Sequence, residues 1–150
     1  MRQIMSLAED VRSWVLASGG PVNPPAGAES LRCAAVRCGG SLPSSLRGVL
    51  ETFDGMPQAA WSALPNLLRF LPASELRRVS VEFPDLYQDL HSAIIFGDYS
   101  LSACLFALEA VPEDGAVYAL ALAEPTLVAP TLGEFISSIL LEPFSIMEWS

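Results

Sequence analysis

Four short apolar runs in the second half of the chain, residues 93–96, 101–108, 117–122 and 126–128, constrain the fold most. They are separated by Gly97-Asp98, then Pro112-Glu113-Asp114-Gly115, then Glu124-Pro125. Strand-length runs divided by turn residues at such close intervals predict an antiparallel meander. The runs are apolar on both faces, so helices are expected to cover one side of the sheet and water to reach little of the other.

Upstream the pattern is helical. Ile4, Leu7, Val11, Trp14 and Val15 fall near helical spacing over residues 4–16, and Gly19-Gly20-Pro21 stops that helix. A second helix is expected over about residues 29–37, ended by Gly39-Gly40. Leu42-Pro43 opens a third, which buries Leu46, Val49, Leu50 and Phe53 and closes at Asp54-Gly55. Residues 67–71 read as an early strand, and Ser74-Glu75-Leu76-Arg77-Arg78 as the start of a helix capped by Ser74. After the meander, Thr131-Leu132-Gly133-Glu134 forms a capping box for a last helix with Phe135, Ile136, Ile139 and Leu140 on its buried face. The tail from Phe144 to Trp149 is too apolar to float free, so it packs back or meets a partner. The fold class is therefore α+β, with helices packed on a mainly antiparallel sheet and a C-terminal capping helix.

With 150 residues, 51% of them hydrophobic and 17% charged, the chain suits one domain with a substantial core and not a disordered segment. The apolar stretch at residues 116–123 is far shorter than a membrane span. Glu9, Asp10 and Arg12 interrupt the first segment too early for a signal sequence, which makes a cytoplasmic protein the expectation.

Charge is divided unevenly along the chain. Residues 1–78 hold eight arginines and six acids; residues 79–150 hold eleven acids and neither arginine nor lysine. The net charge of −9 disfavours nucleic acid, whose phosphates it repels, and suits a basic partner; solubility alone is the plainer explanation. Cys33, Cys38 and Cys104 leave an odd thiol under any pairing, and with His91 as the only histidine a zinc site has no full ligand set. They read as ordinary thiols, and the sequence implies no metal or cofactor.

Gly97-Asp98-Tyr99 is the stretch where catalysis has to be weighed. A catalytic Asp98 needs a second acid, a histidine or a metal, and only His91 is near in sequence. The simpler reading is a turn, in which Gly97 permits the bend, Asp98 bonds turn amides and Tyr99 covers the core edge. The chain has no Gly-x-Ser-x-Gly, Walker loop, His-Glu-x-x-His or dinucleotide fingerprint, and Gly39-Gly40-Ser41 lacks the lysine of a phosphate loop. A binding module fits better than an enzyme.

Leu42-Pro43, the helix ending at Phe53-Asp54-Gly55, Ser74-Glu75-Leu76, Ile95-Phe96-Gly97-Asp98-Tyr99, Gly115-Ala116-Val117-Tyr118 and Leu132-Gly133-Glu134-Phe135-Ile136 follow in an order that resembles the SMI1/KNR4 family of the SUKH superfamily. The resemblance covers about residues 28–142; it leaves an N-terminal helix and Pro-rich loop at 1–27 and an apolar tail at 143–150. It departs from the usual pattern at Asp54, where such proteins have asparagine, and at Ala34-Ala35, where they have an acid. The resemblance implies a SUKH-like α+β fold and, in bacteria, a non-catalytic immunity protein that neutralises a cognate toxin, often a nuclease or deaminase. In fungi it implies a regulatory hub, so a regulatory or scaffold protein is the alternative.

An inhibitor of a basic enzyme needs acids on a rigid frame. Asp98, Glu109, Glu113, Asp114 and Glu124 are the candidate docking carboxylates, with Tyr99 beside them. Tyr99, Tyr118 and Trp61 are candidate aromatic anchors, although sheet aromatics more often face the core. The expected partner is a basic toxin protein rather than nucleic acid or a membrane, and a homodimer is left open.

Overall fold

A computed structural model describes residues 3–110 and 115–149, and among these it has five α-helices and one six-stranded sheet. The helices are α1 (Ile4–Ala17), α2 (Ala28–Arg37), α3 (Ser44–Thr52), the single turn α4 (Val79–Glu82) and α5 (Leu132–Leu141). The strands are β1 (Leu68–Phe70), β2 (Arg77–Arg78), β3 (Ile94–Tyr99), β4 (Cys104–Leu108), β5 (Val117–Leu120) and β6 (Thr126–Ala129). All pairings are antiparallel, in the order β1-β3-β4-β5-β6, and β2 pairs with the beginning of β3. The α+β class and the meander are thus as expected.

Two local expectations are overturned. Gly97-Asp98 is not a turn: both residues lie inside β3 and pair with Phe106 and Leu105 of β4. The turn comes later, where Ser100, Leu101 and Ser102 all adopt positive φ, at 51°, 56° and 69°. Such values favour glycine and cost about 1 kcal/mol or more per L-residue, and no glycine marks the site in the sequence, only Ser100 and Ser102. Nor does Ser74-Glu75-Leu76-Arg77-Arg78 start a helix. Residues 73–75 make one 3-10 turn and Arg77-Arg78 form β2, because pairing with Ile95 and Ile94 satisfies this backbone better than an isolated helical turn would.

One face of the sheet carries the main core. Phe135 of α5 sits edge-on to Phe96 at 5.6 Å and tilted against Phe106 at 5.1 Å, and Trp149 of the tail closes over both Phe106 and Phe135. Helix α1 packs on α3 and α5 through Leu7, Ala8, Val11 and Val15, all buried at helical spacing. Phe53, just after α3, meets Phe70 of β1. The N-terminal helix and the tail therefore share a single core with residues 28–142. At about 25 cal/mol per Å² of apolar surface, each of the fully buried rings Phe53, Phe96, Phe106 and Phe135 contributes roughly 2–3 kcal/mol against the entropy of ordering it. The Thr131 hydroxyl accepts the Glu134 amide at 3.1 Å, so α5 starts at its expected cap.

A bulge in β3 decides what reaches the other face. Ile95 pairs with Ala107 and Gly97 with Phe106, which leaves Phe96 as an extra residue. Side chains alternate along a strand, so one extra residue reverses the facing of everything after it. Asp98 consequently lies level with Leu105 and Arg69, on the side away from Phe106 and α5.

Candidate functional site

Asp98 belongs to a buried charge cluster built by three strands. Arg69 of β1 is its cross-strand partner, and Arg69 Nη1 lies 3.7 Å from Asp98 Oδ2. Arg69 is only 3% exposed, which few arginines are unless paired. Its Nε donates to the carbonyls of Met56 at 3.1 Å and Pro57 at 3.2 Å. Its two Nη atoms donate to the Glu75 carboxylate at 2.9 and 2.5 Å, a bidentate pair. Arg77, in β2, donates to Glu82 at 3.0 Å and to the Glu75 carbonyl at 3.0 Å.

Arg69 is thus already neutralised by Glu75, and Asp98 is a surplus carboxylate beside that pair. Its Oδ1 is buried and has no hydrogen-bond partner among the described residues. Burial raises its pKa above the ordinary carboxylate value; Arg69 opposes the shift, the Glu75 charge adds to it, and Arg77 opposes it. Asp98 also lines an open pocket of about 200 Å³ together with Gln58, Trp61, Arg69, Leu101 and Ser102. Leu101 and Ser102 come from the left-handed turn, and Leu101 is 60% exposed.

The structure does not bring the other candidates to this place. Glu109 follows β4 at the opposite end of β3 from Tyr99, since Leu108 pairs with Ile94 and Cys104 with Tyr99. Glu109 is half-buried beside Tyr118, whose phenol is raised in pKa by burial and then by the charge and hydrogen bond of Glu109. Glu124 is exposed in the β5–β6 turn, where it shares a groove with Asp89, and Tyr87 donates its hydroxyl proton to Leu122 nearby. Glu113 and Asp114 lie outside the described residues. Tyr99 and Tyr118 are half-buried against the core, and Trp61 is half-buried. Of the candidate docking carboxylates, Asp98 is thus not a turn residue bonding turn amides but a buried strand residue beside Arg69, and Glu109 sits at the other end of β3.

His91 is engaged structurally, with Nε2 2.8 Å from the Leu86 carbonyl oxygen. Cys38 and Cys104 are buried, and burial raises both thiols, Cys104 to about 11. Both are poor nucleophiles at neutral pH. Among the described residues no three or more His, Cys, Asp or Glu side chains gather to hold a metal ion, and no helix is long and apolar enough to cross a membrane.

Sequence reasoning missed Arg69, Glu75 and Gln58. One signal was available: an arginine inside a short apolar stretch, Leu67-Leu68-Arg69-Phe70-Leu71, needs a buried acid. Compared with known proteins, the chain matches no family model and no curated protein.

Proposed function

We propose that this chain is a non-catalytic binding protein of the SUKH, SMI1/KNR4-like kind, an immunity protein that neutralises a basic toxin by docking its acid-rich C-terminal half over the toxin's active cleft. The supporting observation is how the charges are spent. Arg12, Arg32, Arg47, Arg69 and Arg77 each pair with an acid, and Arg37 donates to the carbonyls of Ala73, Ser74 and Leu76. By contrast Asp85, Asp89, Glu109, Glu124, Glu142 and Glu148 form no ion pair among the described residues. All six lie in turns, loops or the tail at the ends of strands and helices rather than on the sheet itself, and uncompensated carboxylates raise the local potential for a cation and speed encounter with a basic protein.

Catalysis is not part of this reading, because His91 is tied to a backbone carbonyl and Asp98 faces Arg69 rather than a general base. The test is protection in cells. The chain is co-expressed with the product of the adjoining upstream reading frame, and survival is scored with and without it. Death of cells that express the neighbour alone and survival when this chain is expressed with it, together with a complex whose association slows as salt is raised, support the proposal. A harmless neighbour, or a toxic one that kills cells regardless of this chain and does not bind it, sinks it.

A further inference from the structure

We infer that the pocket at the end of β3 receives a guanidinium group, an arginine side chain of the partner, against Asp98. This rests on the reading of the chain as a protein-binding module. Three independent features converge there. The first is a charge imbalance: Glu75 takes Arg69 bidentately, so Asp98 adds a negative charge that its 3.7 Å contact with Arg69 does not need to satisfy. The second is an oxygen without a partner among the described residues, on a residue 7% exposed that lines the pocket. A buried acceptor left unmade is costly, and an incoming donor recovers that cost. The Cβ–Cγ torsion of an aspartate is soft and roughly two-fold, so Oδ1 can turn to the pocket without moving the strand.

The third feature is the wall. Besides Asp98 and its ion-pair partner Arg69, the pocket is lined by Trp61, Gln58 and the Leu101-Ser102 turn. An indole suits a planar cation that stacks, and guanidinium stacks where ammonium does not; the Gln58 side-chain oxygen is a further acceptor. The turn holds three successive left-handed residues without a glycine, a strained backbone of the sort that is retained where it shapes a site. Leu101, exposed at the rim, offers apolar contact to the stem of the incoming side chain.

The chemistry is testable without knowing the partner. N-acetyl-arginine methylamide is titrated into the full chain while the amide lines of Leu101 and Ser102 and the Trp61 indole line are followed by NMR. The expected result is a saturable shift of these lines. The uncharged citrulline analogue and the lysine analogue bind about ten-fold more weakly. Asp98→Asn loses the arginine response, whereas Asp89→Asn, in the other groove, keeps it. Equal binding of arginine and citrulline, or no saturable shift at the pocket, overturns the inference, and this comparison stands even if Asp98→Asn fails to fold. Because no toxin is present, failure here leaves the cell-protection result untouched. Conversely, loss of protection with intact arginine binding overturns the immunity reading alone.

Discussion

Arg69 and Asp98 are direct cross-strand neighbours in β1 and β3, yet Arg69 spends its bidentate contact on Glu75 and leaves Asp98 at 3.7 Å. One buried guanidinium thus faces two carboxylates. The arrangement stores an excess negative charge at the end of the sheet, and the energetic roles of its members differ accordingly.

Removing the arginine is the severe change. Arg69→Leu strands Glu75 and Asp98 together and frees the carbonyls of Met56 and Pro57, which Nε now holds. Breaking a buried pair from one side costs about 3–5 kcal/mol, so Arg69→Leu is expected to lower the urea midpoint sharply or abolish folding. A midpoint within the error of the wild type would contradict the buried network.

Asp98→Asn has the opposite sign. The folded Asp98 pKa is raised, mainly by burial, so the folded state holds the proton more tightly than the unfolded chain does. The stability this gives is fully present below the unfolded value near 3.8 and is lost as pH rises through the folded value. Asparagine keeps the shape and carries no charge, so its advantage over the wild type is nil in acid and grows as pH rises above about 4. Parallel urea melts from pH 3.5 to pH 7 check this, and a difference that stays constant with pH would remove burial as the cause.

How much of this was legible in the sequence follows from which forces are local. Helix α1 and the cap at Thr131 rest on spacing and on hydroxyl chemistry, both visible in a short window. Gly97-Asp98 misled because glycine and aspartate are ordinarily turn formers, while here the β4 ladder claims them and three non-glycine residues turn instead. The facing of Asp98 depends on the Phe96 bulge, a register relation between two strands that no single stretch encodes. Charge asymmetry was readable from composition; which acids are left unpaired was not, because the partners are up to tens of residues apart.

Two glycines separate these effects. Gly55, after α3, has φ +65°, and a Cβ there would stand 2.5 Å from the Leu71 carbonyl carbon and the Pro72 nitrogen. Gly55→Ala meets both a conformational penalty and immovable backbone and should cost more than about 2 kcal/mol. At Gly97 a Cβ meets nothing nearer than 3.5 Å, an ordinary contact, and glycine in a strand is entropically unfavourable. Gly97→Ala is therefore expected to be neutral or up to about 1 kcal/mol more stable. Thermal melts of the two variants decide it, and a large loss at Gly97 would restore the turn reading.

The tail gives the last prediction. Asn66 is 1% exposed; its Nδ2 donates to the Pro143 carbonyl at 2.8 Å, and its Oδ1 accepts from the Leu68 amide at 3.2 Å. The side chain therefore ties the start of the tail to the start of β1, which is what lets Ile146 stay buried and Trp149 lie against Phe106 and Phe135. Asn66→Ala leaves a buried amide and a carbonyl unmade, a loss of about 1–3 kcal/mol. The loss should fall unevenly: residues 143–149 become cleavable by a non-specific protease and the Trp149 indole line moves toward its solvent position, while the β3 and β4 amides stay protected. Uniform loss of protection would mean that the tail is integral to global folding rather than latched onto a completed sheet. Unchanged cleavage would mean that the aromatic packing of Trp149 holds the tail without Asn66.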